Sequence, residues 1–366
     1  MNRSVERRQL PVRGAVSGQL QVGPFVHPDR GLVRCPSAAA LVASLRREGH
    51  HATSVSQPFA VNADAPNGVL FTASYLDRDD RAVGFCVAVH ATDQAGHQAA
   101  RDVVNTWSAV WRSRRAILAP VKQSCGGGDV GAKPNDAPCP HVVTARDDLK
   151  VFRQRGDQVI VIGKRGQDEV SVLACEQEGV ILLEPGDEIT SLHLDPHRVS
   201  YLVQPGVVIE DAAHVIAALR ARYPRIRGSH PDAFCYAASD YAAAVRAVAA
   251  SSDTVLVLGS ASAESNEKSL QLAVPVCAQT HIVHRVDELR PAWLAGAACV
   301  GLVPTSPDSR DLGHQVLAVL SGLGPLSVVR RLITTEVLPG WSSGSALQSG
   351  RPVQQIVQLM CPTVRP

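Results

Sequence analysis

Residues 254–266 read TVLVLGSASAESN, a short apolar strand that runs through Gly259 into a loop of small and polar residues. The same texture recurs three more times. AILAP (116–120) runs into VKQSCGGGD, QVIVIG (158–163) into KRGQDE, and ACVGLV (298–303) into PTSPDS. Helical stretches are interleaved, as at Tyr241–Ala250 and Asp311–Leu320. Apolar strands alternating with helices imply βαβ units and parallel sheets. In such sheets the loops at the carboxyl ends of the strands gather into a site. The expectation is therefore an α/β protein of several small βαβ-type units, arranged around a central site that those loops build.

Working outward, the segment 1–115 reads as a separate N-terminal α/β domain. SAAALVASLRRE (37–48) has helical spacing, and GVLFTASYL (68–76) and AVGFCVAVH (82–90) form a hairpin across the polar turn Asp77–Arg81. Asp93–Arg114 reads as a helix with Val103, Val104, Trp107, Val110 and Trp111 on one side. The basic knot Arg112, Arg114 and Arg115 is explained by a solvated helix end. Two further units, 116–231 and 232–333, and a Gly-, Ser- and Pro-rich tail, 334–366, complete the expected division.

A hydrophobic fraction of 45% with 19% charged residues supports large cores, and aromatics at only 4% favour α/β layers over a β-sandwich. A net charge of +2 does not suggest a nucleic-acid partner. The charged stretch Met1–Gly14 lacks an apolar signal region, and no apolar run reaches the roughly 18–20 residues of a membrane span, so a cytoplasmic location is expected. Nine cysteines, an odd number in a reducing compartment, do not make a disulfide framework.

Three of the nine stand in loops ahead of or between regular elements. Cys125 follows the strand 116–120 and precedes three glycines, Cys139 sits between prolines at the start of a helix over 141–154, and Cys235 lies just ahead of the helix near Asp240. A thiolate at a helix start has a lowered pKa, which suits metal ligation. None forms a CxxC pair, so zinc-ribbon and ferredoxin spacings are absent. Three ligands on separate loops leave the fourth iron of a cubane open. Zinc, or no metal, is the competing reading. Cys86, Cys175, Cys277, Cys299 and Cys361 read as packing, Cys35 opens a helix but lacks the glycines that follow Cys125, and His90 reads as a satisfied structural histidine.

The stretch from 115 to 330 resembles the LytB/IspH family of 4-hydroxy-3-methylbut-2-enyl diphosphate reductases. DAPCP (136–140) and GKRGQDE (163–169) stand in the order and spacing of the family's D-A-T-C-P and G-H-x-G-H-x-E, and DAFCYAASDYAAAVRAVAASSDTVLVLGS (232–260) resembles its third-cysteine region. AILAPVKQSCGGGDVGA (116–132) is similar to the opening strand and first-cysteine motif. The resemblance implies a 4Fe–4S cluster on Cys125, Cys139 and Cys235, and reductive removal of an allylic hydroxyl to give isopentenyl- and dimethylallyl-type products. It implies electrons from a ferredoxin or flavodoxin and Glu169 as the proton-supplying catalytic group. Gln167, Ser265, Asn266 and Ser306 then fall at substrate-binding positions. Capping or solvent exposure is the plainer reading of Glu169, and N-capping that of the serines and Asn266.

Three departures from the family bear on substrate. Only 13 residues separate Cys125 from Cys139, so a long stretch carrying two histidines of the diphosphate pocket is deleted. Lys164 and Gln167 replace both loop histidines. Ala238 stands where the family has threonine, Gln204-Pro205-Gly206 replaces Q-T-T, and Glu264 adds a negative charge to the diphosphate loop. A changed allylic alcohol, with or without a diphosphate, is one consequence; a non-catalytic descendant keeping the cluster as a redox sensor or structural element is the other. The N-terminal domain is expected to fill the space of the deleted part, and not to hang free.

Overall fold

A computed structural model describes residues 5–61, 65–77, 79–121, 140–164, 179–260 and 264–336. Met1–Thr335 form one compact unit and Glu336–Pro366 a second; the strand-like QQIVQLM expected in the tail lies outside the described residues.

The chain opens with β1 (Glu6–Val12), β2 (Leu20–Gly23), the hairpin β3–β4 (Phe25–His27, Gly31–Val33) and α1 (Ala38–Arg47). β5 (Ala52–Ser54), β6 (Gly68–Leu76), β7 (Ala82–His90) and α2 (Gln94–Ala109) follow. The five strands other than the hairpin form one mixed sheet in the order β1-β6-β7-β2-β5. The hairpin read over 68–90 is present, with Leu76 opposite Ala82, and its turn is held by the Asp77 carboxylate accepting from the amides of Asp79 and Arg81.

The helix read to Arg114 ends instead at Ala109. Its start is fixed by the Asp93 carboxylate, which accepts the Gly96 amide at 2.8 Å. Its end is decided by burial: Arg114 is 4% exposed and donates to the carbonyls of Leu323 (3.0 Å), Leu294 and Val110. These partners hold Arg114 in an extended strand, and burial followed by the Arg112 charge pushes its pKa down to about 10. Only Arg112 and Arg115 of the basic knot face solvent.

From there β8 (Arg114–Leu118), α3 (Pro140–Gln154), β9 (Gln158–Ile162), β10 (Val180–Leu183), β11 (Val199–Val203), α4 (Ile209–Arg222), β12 (Arg227–Gly228) and α5 (Ala237–Ala250) succeed one another. The described chain finishes through β13 (Thr254–Leu258), α6 (Glu264–Ala273), β14 (Thr280–Val283), the short α7 (Pro291–Leu294), β15 (Cys299–Pro304), α8 (Ser309–Ser321) and β16 (Leu326–Arg330). Two sheets result, β10-β9-β11-β12 and β14-β13-β15-β8-β16, and every pairing in both is parallel. The second is built from two distant pieces of chain, because β8 sits between β15 and β16.

Alternation of side chains along each strand explains the layers. In the first parallel sheet Val159 packs on Leu149 and Phe152 of α3, while Ile160 and Ile162 pack on Ile216 and Leu219 of α4. In the second, Val255 and Val257 meet Val245 and Val248 of α5 and Ala273 of α6. Leu256 and Leu258, on the opposite face, share a core with Val316 and Leu320 of α8 and with Leu41, Leu45 and Trp107 of the N-terminal segment. That segment therefore packs against the second parallel sheet, and hydrogen bonds seal the join, the buried Ser37 Oγ to Val319 O at 3.0 Å and the half-buried bond from Tyr75 OH to Ser321 O at 2.9 Å among them. No helix among the described residues is long and apolar enough to cross a membrane.

Two histidines, His27 buried and His281 half-buried, set a pH dependence. His27 is 1% exposed; its Nδ1 accepts the Asp29 amide at 3.1 Å, and its Nε2 has no hydrogen-bond partner among the described residues. Burial outweighs the nearby Glu6 carboxylate and holds its pKa below the ordinary 6.5. His281, stacked on Trp293 at 4.5 Å, is pushed the same way by burial and then by Arg290. Each binds its proton more weakly folded than unfolded, so the unfolded chain takes up more protons once pH falls below about 6.5. Stability is expected to drop between pH 7 and pH 5, seen as a falling urea midpoint. The pair of substitutions His27→Gln and His281→Gln should flatten the slope, and a slope unchanged by both would refute the assignment.

Candidate active site

Carboxyl ends of the strands in the two parallel sheets supply the site loops. Around β9 and β11 the loops are tied together from inside. Gln204, 1% exposed, accepts the backbone N–H of Lys164 at 2.7 Å through its Oε1. A side chain on Gly163 would collide with that same oxygen, so glycine is required there. The start of the loop that later carries Gln167 and Glu169 is thus anchored on a buried amide.

Cys235 is 5% exposed and stands between the turn Pro231–Ala233 and α5. Phe234 locks this turn into the core under β9 and β11. α3 is bonded to the same region: His141 Nδ1, in its first turn, lies 3.4 Å from the Ala233 carbonyl, and Asp148, further along the helix, accepts from Ser229 Oγ at 2.6 Å. Pro140, the first residue of α3, directly follows Cys139 in the chain. The start of α3, which follows Cys139 in the chain, therefore meets the turn that precedes Cys235. Cys125, Cys139, Gln167 and Glu169 lie outside the described residues. β8, seven residues short of Cys125, ends beside β15 at the edge where the loops after Leu258 and Pro304 emerge.

Those last two loops are cross-linked by polar side chains. Thr305 Oγ1 donates to Asn266 Oδ1 at 2.7 Å, and Asn266 Nδ2 donates to the Ser260 carbonyl at 2.6 Å. Asn266 and Thr305 are 4% and 3% exposed, and Gly259 is packed so closely on both that a Cβ would displace them. His284 reaches across from the end of β14, with Nδ1 2.9 Å from the Gly259 carbonyl. Ser306 shares a hydrogen bond with Ser309 at 2.9 Å. Ser265, half-buried in the first turn of α6, lines a cavity of about 80 Å³ at the seam between the two parallel sheets. Lys164 and Gly206 line it from one side, and Ala238, Tyr241 and Lys268 from the other. Thr305, His284 and Lys268 were missed by sequence reading, and Gln204 was read only as part of a loop that departs from the family's Q-T-T. Each is a single polar residue whose partner is remote in the chain; only the position of Gln204 and Thr305 directly after an apolar strand marked them.

Other titratable groups serve the scaffold. Glu6, His27 and Asp29 lie close enough together to hold a metal ion, but Arg30 pairs with Glu6 at 3.0 Å and Arg8 with Asp29 at 2.9 Å. His90 bonds Thr92 at the end of β7, as a structural histidine does. Cys35, Cys86, Cys235, Cys277 and Cys299 are all free thiols, and burial raises Cys35 to about 12 and pushes Cys86 well above its ordinary value, so both stay protonated and inert.

Two all-parallel sheets whose strand-end loops are tied together by polar side chains define the parallel-sheet α/β class of protein. Within it, the profile of the LytB protein family matches residues 129–320, more than half of the 366-residue chain, and the chain belongs to that family. The match takes in Cys139 and Cys235 and begins just past Cys125. Named relatives include a 4-hydroxy-3-methylbut-2-enyl diphosphate reductase 2 of Mycobacterium bovis, 28% identical over 215 residues that cover 58% of this chain and 65% of that protein. The 4-hydroxy-3-methylbut-2-enyl diphosphate reductase of Klebsiella pneumoniae is 31% identical over 194 residues, 52% of this chain and 61% of that one. The chain thus spans less than two thirds of the length of these relatives. The structure of the E-1-hydroxy-2-methyl-but-2-enyl-4-diphosphate reductase from Plasmodium falciparum superimposes with a TM-score of 0.46 at 18% identity, over 56% of this chain and 65% of that one.

Proposed function

We propose that this chain is an iron–sulfur reductase of the LytB/IspH type that removes the hydroxyl group of 4-hydroxy-3-methylbut-2-enyl diphosphate or a related allylic alcohol. The observation that carries the reading is the bond from His141 to Ala233, which sets the α3 start, one residue past Cys139, against the turn that presents Cys235. Three thiols on separate loops are one ligand short of a closed four-ligand zinc site, and they suit a cubane with one iron left open. Cys125, Cys139 and Cys235 would hold a 4Fe–4S cluster, which would relay the donor's electrons one at a time to the bound alcohol.

The chain's own residues do the rest. Glu169 delivers protons: the C–O bond breaks, a C–H bond forms, and two electrons and two protons leave the product and one water. Gln167, Ser265 and Ser306 orient the substrate. Asn266, whose carboxamide spans Ser260 and Thr305, holds the loop that presents Ser265. The electron donor is a ferredoxin or flavodoxin, and the working compartment is the cytoplasm, where the free thiols stay reduced.

Anaerobically purified protein, reduced chemically and given the diphosphate alcohol, is expected to release isopentenyl- and dimethylallyl-type products. A protein with a full cluster that turns over neither this alcohol nor its monophosphate and non-phosphorylated analogues would reject the enzyme reading and leave a redox sensor.

A further inference from the structure

We propose that the cleft between β1 and α2, in the N-terminal segment, docks an extended acidic peptide of a partner protein. The peptide adds to the free edge of β1 and places its carboxylates on Arg7 and Arg101. This site lies outside the residues of the family match and does not rest on the reductase reading.

β1 is the terminal strand of its sheet and is paired on one side with β6. Only at Val12 does a bridge, to Val61, occupy the other side. Among the described residues the edge from Arg7 to Pro11 is therefore open to a further strand. Alternation along the strand sends Arg7 and Gln9 to the α2 side. There Arg7 Nε donates to Ser108 Oγ at 2.8 Å, which fixes the guanidinium and leaves its two terminal nitrogens for a ligand. Across the cleft the Arg101 guanidinium lies 6.0 Å from the centre of the Phe71 ring, and Asn105 follows one helical turn later. The cleft measures about 440 Å³, and its floor is built from Phe71, Thr72 and Val104, all buried.

No carboxylate lines the cleft, and neither Arg7 nor Arg101 is ion-paired among the described residues. Arg8, on the opposite face of β1, is paired with Glu6 and Asp29, so the uncompensated charge of this edge gathers on the α2 side. Residues 1–115 carry 14 arginines, no lysine and 9 acidic residues, whereas the rest of the chain has 22 basic against 25 acidic residues. The N-terminal segment is thus the basic part of the molecule. Its cations are all of the type that grips a carboxylate with two N–H bonds. Gln9 and Asn105 add neutral carboxamides to the lining, suited to a ligand that carries amides. A nucleic acid fits less well, because bases need an open aromatic face and Phe71 is 4% exposed with Arg101 over its ring. A strand added to β1 would turn every second side chain to the cleft, about 7 Å apart. Acidic residues at alternate positions then meet Arg7 and Arg101 in turn.

Fluorescence anisotropy of the full chain with a labelled peptide of alternating glutamate and threonine tests the site. Charge-assisted bonds of this kind are worth roughly tenfold in affinity each. Arg7→Ala and Arg101→Ala are each expected to weaken binding about tenfold. Both arginines are exposed, so the variants should keep the wild-type thermal midpoint. Lys150→Ala, on the exposed face of α3, should change nothing. Strand addition has its own signature, since alternate N–H groups of the added peptide face β1 and the others face solvent. Of two peptides N-methylated at alternate residues, one on the glutamates and one on the threonines, one should bind at least about tenfold more weakly than the other. No binding by wild type, wild-type affinity in both arginine variants, or equal affinity of the two methylated peptides overturns the proposal. So does tighter binding of an octathymidylate probe that is lost in the same variants, which would make the cleft a nucleic-acid site.

Discussion

Cys235→Ser is expected to purify as a folded, nearly colourless protein in which about four irons per chain have fallen to one or fewer. The fold should survive because the change removes no carbon: Cys235 is 5% exposed, its neighbour Phe234 carries the anchoring contact, and burying one hydroxyl costs about 1–3 kcal/mol. The cluster should not survive, because a serine oxygen is a hard, protonated donor at neutral pH where a cubane needs thiolate. Cys277→Ser supplies the control. That thiol is also buried, at 7% exposed, but lies under α6 against the Ser252 carbonyl, away from the strand-end loops. Iron, acid-labile sulfide and the visible spectrum should be unchanged in Cys277→Ser and lost in Cys235→Ser. Full iron in both variants would remove Cys235 from the ligand set and with it the proposed cluster site.

How the chain announces this architecture is uneven, and the reason is physical. Short apolar strands such as TVLVL and QVIVI are legible because a strand covered on both faces leaves no polar positions for solvent. The hairpin over 68–90 is legible because its partners are a few residues apart. The seat of β8 between β15 and β16 is not, since parallel neighbours join residues nearly two hundred positions apart and no local pattern names them. Arg114 misled for a related cause. An arginine reads as surface until three carbonyls from other elements are seen around it. In the site, hydroxyl-rich loops pointed to Ser265 and Ser306, but the locks that shape those loops, Thr305 on Asn266 and Gln204 on Lys164, exist only as contacts between loops.

The N-terminal segment explains why the second parallel sheet is not free to reorganise around its site. Leu256 and Leu258 point away from α5 and α6, and their cover is shared between α8 and the α1–α2 layer. Arg47 adds to the join, donating to the carbonyls of Asp287 at 2.7 Å and Leu289 at 3.2 Å, just past the end of β14. Residues that the family match leaves out are thus part of the core on which the matched residues fold.

Trp107→Ala tests that dependence at its largest buried side chain. Trp107 is fully buried, and its indole Nε1 donates to Ser44 Oγ at 3.0 Å, bonding α2 to α1. Truncation removes the ring, leaves a cavity between the two helices and takes away one of the two donors to Ser44 Oγ, leaving Arg47. Large-to-small changes of an aromatic in a packed core cost about 3–5 kcal/mol, a sizeable share of the ~5–15 kcal/mol that holds a typical protein folded. The thermal midpoint is expected to fall by about 5–10 °C, and Trp107→Phe, which keeps most of the volume but loses the hydrogen bond, by less than half of that. The informative readout is where the loss is felt. If the shared core couples the layers, cluster absorbance and far-UV signal will be lost together at the lowered temperature. If the N-terminal segment melts first while the cluster signal holds its wild-type midpoint, the two layers are energetically separate and the segment is only an attachment.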